Sequence, residues 1–140
     1  SQARLFRIQA TDLSGKVLEQ ARLGRWTIAR ASEIPDAYLR RFMLRGVGSR
    51  QGELKAGQEL RSVIEFGRLN LMNPSFPVGS FDLIFCRNVM IYFRAAVRDA
   101  VQKMMIDHLA PHGHFFLGHA ESISAPGAGL RRVIPNVYAI

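Results

Sequence analysis

The sequence predicts an α/β fold, a twisted open sheet with flanking helices, and three observations carry that prediction. Phe81, Leu83, Ile84, Phe85 and Cys86 form a short apolar run of strand formers, bounded upstream by Pro77 and Gly79 and downstream by Arg87 and Asn88. Such a run predicts a strand buried on both faces. From Ala95 to Leu109, apolar residues recur at spacings of three and four (Val97, Val101, Met104, Met105, and His108 or Leu109), with Arg98, Asp99, Gln102 and Lys103 opposite. That is the pattern of an amphipathic helix. Near the start, an apolar segment ending at Asp12 runs through a turn into a second helical pattern. In an open α/β sheet the ligand crevice lies beyond the carboxyl ends of the strands, where Arg87 and Asn88 would sit and where Met90 to Phe93 lead into the next helix.

Each element follows from its residues. Leu5, Phe6, Ile8 and Ala10 make a short strand that ends at Asp12. From Ser14 to Leu23, Val17, Leu18 and Ala21 fall at helical spacing, and Gly24 supplies a stop. Arg25 to Ala31 is of mixed polarity, with Trp26 and Ile28 its large apolar groups, and reads as a connection. Pro35 is tolerated in the first turn of a helix, where its missing N–H would be unpaired anyway, and Tyr38, Leu39, Phe42 and Met43 give that helix an apolar stripe. The stripe and Trp26 are expected in a core. Gly46, Gly48 and Gly52 then mark tight turns feeding an antiparallel excursion from Glu53 to Phe66, with a strand over Arg61 to Phe66. A small β-subdomain is therefore expected over 46–67, inserted in a domain that occupies 1–140. Leu69-Asn70-Leu71 precedes a Pro- and Gly-containing loop, Asn73 to Gly79. After the amphipathic helix, Pro111 and Gly113 act as its terminators, His114 to Gly118 forms a compact strand, and Leu130 to Ile140 folds as a closing hairpin around Pro135-Asn136.

The composition, 48% hydrophobic and 21% charged over 140 residues, suits one soluble domain. No apolar run approaches the ~20 residues of a bilayer span, and Ser1-Gln2-Ala3-Arg4 lacks the apolar core of a secretory signal. The expected location is cytoplasmic, without membrane insertion. The lone cysteine, Cys86, sits inside an apolar strand and reads as a small buried hydrophobe. No Cys/His spacing resembles a metal site. With 19 Lys and Arg against 11 Asp and Glu, the formal net charge is +8, which favours anionic partners. A nucleic-acid reading of that charge finds no basic helix with interleaved aromatics, and no nucleic-acid partner is expected.

The run from Phe81 to Phe93, Phe-Asp-Leu-Ile-Phe-Cys-Arg-Asn-Val-Met-Ile-Tyr-Phe, resembles the signature of the chemotaxis receptor methyltransferases, the CheR family. Further blocks match in order: Ala10-Thr11-Asp12-Leu13, Phe42-Met43-Leu44-Arg45-Gly46, Leu69-Asn70-Leu71, Leu109-Ala110-Pro111-His112-Gly113 and Gly118-His119-Ala120-Glu121. The resemblance implies a class I, Rossmann-like S-adenosylmethionine-dependent methyltransferase sheet with a small antiparallel β-subdomain. It implies transfer of a methyl group from S-adenosyl-L-methionine to glutamate carboxylates of chemoreceptors, leaving S-adenosyl-L-homocysteine. It also implies cofactor contacts by Asp12, Asn70, Leu71, Arg87 and Asn88. Asp12 would take the ribose hydroxyls, the Asn70 side chain and Leu71 backbone the adenine, and Tyr92 would lie beside the sulfonium as the catalytic positioning group. Read alone, Asp12 is a helix cap and Asn70 a turn residue.

A glutamate with a pKa of about 4.3 is already ionised at neutral pH, so methyl transfer to it needs positioning and desolvation rather than a base. For His119 and Glu121, after the Phe115 strand, a loop-stabilising hydrogen bond is therefore expected ahead of acid–base work. Relative to the resembled family the chain begins at the second strand, so the sheet is expected to be incomplete at the N-terminus, without the glycine loop for the methionine end of the cofactor. The isolated chain is then expected to bind the cofactor weakly and turn over little or not at all, and a second copy or a complementing N-terminal segment is expected to pair across the gap. The expected partner is the cytoplasmic domain of a chemoreceptor, with its C-terminal tail as a further candidate. Gly46-Val47-Gly48 resembles the turn of tail-binding members, where a structural hairpin and a tail site remain alternatives. A non-catalytic receptor-tail or regulatory module of the same ancestry is the alternative function.

Overall fold

The computed structural model describes residues 6–73, 79–123, 127 and 129–140. Leu5, expected to open the first strand, and positions 74–78 of the loop before Gly79 lie outside the described residues. The chain divides into two compact units, Ser1–Asn70 and Leu71–Ile140.

In the first unit the order is β1 (Ile8–Asp12), α1 (Gly15–Leu23), β2 (Arg25–Thr27), a 3-10 turn, α2 (Asp36–Phe42), β3 (Met43–Arg45), β4 (Glu53–Ala56), α3 (Gln58–Arg61) and β5 (Ile64–Arg68). The start and stop of α1 follow from local chemistry. Ser14 caps it, its Oγ accepting the Val17 N–H at 3.3 Å, and Gly24 ends it at φ 58°, a left-handed conformation glycine adopts without a Cβ penalty. Leu18 is the buried residue of this helix. β1 and β5 pair in parallel, in register from Ile8↔Ile64 to Asp12↔Arg68.

Three expectations for this unit change. Arg25–Thr27, expected as a connection, is a strand antiparallel to β4, with Trp26 opposite Leu54. A three-residue strand is made by its partner, and its own sequence carries no alternation to announce it. The antiparallel sheet, ordered β2-β4-β3, is thus drawn from Arg25–Thr27, Met43–Arg45 and Glu53–Ala56 rather than from 46–67. The later strand belongs elsewhere: residues 58–61 are helical and Ile64–Arg68 joins β1, because its apolar residues find a parallel neighbour there. Finally, Trp26 and Tyr38 stay at the surface, 43% and 59% exposed. Leu54 takes the buried centre of the antiparallel sheet, and Tyr38 stacks on Phe42 with ring centroids 6.2 Å apart.

The second unit runs β6 (Phe81–Cys86), a 3-10 turn over Met90–Tyr92, α4 (Ala95–Asp107), β7 (Leu109–Leu117), β8 (Arg131–Ile134) and β9 (Val137–Ala139). Its sheet is ordered β6-β7-β9-β8, parallel between β6 and β7 and antiparallel thereafter, so the closing hairpin forms as the sequence predicts. The helix stops at Asp107, and Pro111 and Gly113 lie within β7 rather than terminating α4. The register jumps from Phe81↔Leu109 to Leu83↔His114, so this stretch bows out as a bulge in which Pro111 gives up no ladder hydrogen bond.

α4 covers one face of the sheet. Cys86, Met90, Val101, Met105, Leu109, Phe115, Leu117, Leu130 and Tyr138 close into a single core, with Phe115 and Met90 fully enclosed. Gln102, expected on the polar side of the helix, is buried too, because its Nε2 donates to the Ser122 carbonyl at 3.1 Å. The opposite face departs from the expectation of a doubly buried strand. Leu83 and Phe85 are 54% and 64% exposed, since α4, the one helix of this unit among the described residues, lies on the Ile84 and Cys86 side. Phe85 instead stacks on Phe116 of the neighbouring strand at 4.5 Å. Phe115→Ala is expected to cost about 3–5 kcal/mol and Phe85→Ala about 1 kcal/mol or less, measured by denaturant unfolding of both variants.

Candidate functional site

The chemistry-bearing residues stand at the carboxyl ends of parallel strands, and in the second unit one carboxylate organises that end. β6 stops at Cys86, and the next backbone groups leave the ladder at once. Asn88 adopts φ 60°, a conformation a short amide side chain tolerates better than most. Residues 88 to 90 thereby turn successive N–H groups toward Glu121, which follows β7. Glu121 is 4% exposed. Its Oε2 accepts the N–H groups of Gly118 at 2.7 Å and Asn88 at 2.9 Å, and its Oε1 those of Met90 at 2.8 Å and Val89 at 3.1 Å. Donors that the ladder cannot satisfy are thus paired in one stroke.

Burial by itself would raise the Glu121 pKa, but the backbone N–H groups of Gly118, Asn88 and Met90 outweigh it and hold the carboxyl below its ordinary range. The neighbouring Cys86 thiol is pushed up to about 11, first by burial and then by the Glu121 charge, so it stays protonated as a core side chain. Gly118 is required by the same packing. A Cβ there would run into the Asn88 Oδ1 and lie 2.7 Å from the Glu121 Oε2 and 2.8 Å from the Asn88 N.

Above this knot the expected site residues are displayed. Arg87 and Asn88 are exposed immediately after the strand, and Tyr92 ends the 3-10 turn with 82% of its surface exposed, while Met90 between them is wholly enclosed. Leu71 packs on the unit's core and lines an apolar groove with Met72, Ala96, Val97, Ala100 and Met104. His119 is exposed, whereas Glu121 turns inward, so the two do not form a matched acid–base pair.

In the first unit, Asp12 closes β1 and Asn70 lies just beyond β5, at the same end of the parallel pair. The Leu69 N–H donates to the Asp12 carbonyl at 3.0 Å, and the Arg68 Nε to the Leu13 carbonyl at 3.0 Å. Asp12 is not the helix cap: Ser14 is, and the Asp12 Oδ1 accepts the Ser14 N–H at 2.8 Å, which orients the carboxylate at the strand end. A carboxylate for a diol and an amide offering donor and acceptor together are a donor set suited to a nucleoside. The sequence reading missed Gln102, which tethers the loop that carries Glu121. It also foresaw for Glu121 only a loop hydrogen bond, not a carboxylate shared among four backbone donors. The Gly118-x-x-Glu121 spacing was the available signal.

Among the described residues, no group of three or more His, Cys, Asp or Glu side chains could hold a metal ion, and no helix is long and apolar enough to cross a membrane.

Parallel strands with polar groups at their carboxyl ends, closed by an antiparallel hairpin, are the class I Rossmann-like methyltransferase fold. Residues 1–134 match the family described as "CheR methyltransferase, SAM binding domain". The chain is 37% identical over 134 residues to chemotaxis protein methyltransferase 2 of Pseudomonas aeruginosa, covering 95% of this chain and 48% of that protein. It is 36% identical over 120 residues to the chemotaxis protein methyltransferase of Salmonella typhimurium (85% and 42%) and 35% identical over 133 residues to that of Borreliella burgdorferi (94% and 46%). The chain belongs to the CheR methyltransferase family, and it spans about half the length of the curated relatives it matches.

Two outcomes follow from the Glu121 knot. Gly118→Ala is expected to destabilise by about 1–3 kcal/mol in thermal or denaturant unfolding, because the contacts it would strain are backbone and a fixed carboxylate. Since the folded-state pKa of Glu121 is depressed, the unfolded chain takes up this proton more readily. The stability Glu121 contributes is then present above its unfolded pKa of about 4.3 and lost as pH falls through the folded value. Acid titration of stability in the wild type should accordingly be steeper than in Glu121→Gln.

Proposed function

We propose that the chain is the cofactor-binding part of an S-adenosylmethionine-dependent protein-glutamate O-methyltransferase that acts on chemoreceptors in the cytoplasm. The observation that carries this reading is that, within each unit, polar side chains stand at strand carboxyl ends, Asp12 and Asn70 at those of one parallel pair and Arg87, Asn88 and Tyr92 beyond the other. The relatives' shared description as chemotaxis protein methyltransferases supports the same reading.

When bound, S-adenosyl-L-methionine supplies an electrophilic methyl group and leaves as S-adenosyl-L-homocysteine. The Asp12 carboxylate is suited to accept both ribose hydroxyls. Asn70 supplies an edge partner for adenine, with the Leu71 backbone beside it. The Arg87 guanidinium meets an anion, either the cofactor's carboxylate or the substrate's, and Asn88 fixes the polar contacts around it. Tyr92, exposed on its turn, orients the incoming glutamate carboxylate. That carboxylate is ionised at neutral pH, so these residues hold and desolvate rather than move a proton.

A second reading, receptor-tail binding without catalysis, is favoured by one feature of the first unit. Among the described residues, β2 and β3 are the outer strands of the antiparallel sheet with one neighbour each, and Arg25, Lys55 and Leu44 lie in register across it. An extended acidic peptide could add to such an edge. Binding of a receptor's C-terminal peptide without methyl transfer would support it.

The test of the leading reading is methylation of a receptor cytoplasmic domain by the full natural protein, with base-labile methyl esters mapped to glutamates. Asp12→Ala is expected to weaken S-adenosylhomocysteine binding roughly tenfold or more by calorimetry without loss of fold. Unchanged affinity in that variant, or methyl groups on atoms other than glutamate carboxylates, would overturn it.

A further inference from the structure

We infer that Glu121 is a positioning residue for cofactor capture: by holding the backbone of Asn88, Val89 and Met90 it sets the directions in which Arg87, Asn88 and Tyr92 leave the strand end. The inference rests on the cofactor reading above and assigns the means by which that site keeps its shape.

Nothing around these side chains orients them directly. Arg87 and Asn88 are exposed and Tyr92 is 82% exposed, so packing around them does not fix their aim. The β6 ladder ends at Cys86, so strand pairing does not either. What remains is the backbone between them, and four N–H groups from two segments converge on the two oxygens of one carboxylate. The support is rigid from behind. The Gln102 amide holds the Ser122 carbonyl, and the Tyr138 hydroxyl accepts the Ile123 N–H at 3.2 Å, so the residues after Glu121 are tied to α4 and β9. Gly118 allows the approach that brings Asn88 against the carboxylate. Met90, with no exposed surface, anchors the turn from below. A binding group displaced by about 1 Å can lose on the order of a hundredfold in function, so this scaffold acts through geometry.

The experiment uses the full natural protein and S-adenosylhomocysteine as the probe, with initial rates on a receptor substrate. Glu121→Gln preserves shape but turns one oxygen into an NH2 group facing N–H donors. It should weaken S-adenosylhomocysteine and raise the KM for S-adenosylmethionine by roughly ten- to a hundredfold, and, because Tyr92 leaves the same turn, lower kcat at saturating cofactor as well. Leu109→Ala trims the same buried core at the far end of the strand pair, where Leu109 faces Phe81, and should lower the unfolding midpoint while leaving cofactor affinity at the wild-type level. If Glu121→Gln binds as the wild type does, or if Leu109→Ala loses affinity equally, the inference is overturned, since the carboxylate then contributes nothing beyond general stability. Should Glu121→Gln fail to fold, Glu121→Asp, which keeps the charge but withdraws it by one methylene, is judged by the same criterion. A wild type without affinity for S-adenosylhomocysteine would instead sink the cofactor reading itself, a different result from equal affinities.

Discussion

The second unit depends on a buried negative charge that is satisfied by backbone alone. Glu121 receives N–H groups from the turn after β6 and from the end of β7, and so closes the carboxyl end of a parallel strand pair. Parallel strands need this kind of closure more than antiparallel ones. Their ends do not meet in tight turns, so the departing chains must be held by something else. A neutral acceptor would hold fewer donors less strongly, and a water would be lost when a ligand arrives. A carboxylate built into the next loop serves as a permanent anion in a nest of N–H groups.

That arrangement suits a reaction in which the protein supplies geometry. In the proposed reaction a carboxylate nucleophile and a methyl group on sulfur need alignment and exclusion of water, and Glu121 does not compete as a base because its oxygens already accept hydrogen bonds from fixed backbone N–H groups. The inward turn of Glu121 and the exposure of Arg87, Asn88 and Tyr92 divide the work: one group shapes the strand end, and the others face outward. The same division recurs in the first unit on a smaller scale, where the Ser14 N–H orients Asp12 at the end of β1.

The elements with strong local chemistry were legible. Ser14 and Gly24 bracket α1, the Phe81–Cys86 run is a strand over that same span, and the Pro135-Asn136 hairpin closes the chain. What escaped was decided by partners distant in sequence. Arg25–Thr27 is a strand because Glu53–Ala56 lies beside it, and Ile64–Arg68 leaves the antiparallel excursion because β1 offers a parallel register. Pro111 and Gly113 mark a helix end in any local reading, yet a bulge against β6 keeps both inside β7. Of the candidate site, residue types and their order were readable because a turn after a strand exposes its polar groups wherever it folds. Gln102 was not, since helical spacing alone cannot tell a solvated amide from one donating to Ser122.

By itself, then, the sequence determined the alternation of strands and helices, the polar turn after Cys86, and the family to which the chain belongs, because these depend on side-chain periodicity and on residues close together in the chain. The tertiary structure alone decided which strands pair, which face of β6 is covered, and that Glu121 binds backbone rather than His119 or solvent. Those outcomes depend on hydrogen bonds between segments about thirty residues apart, whose energies come from desolvated geometry that no local pattern encodes.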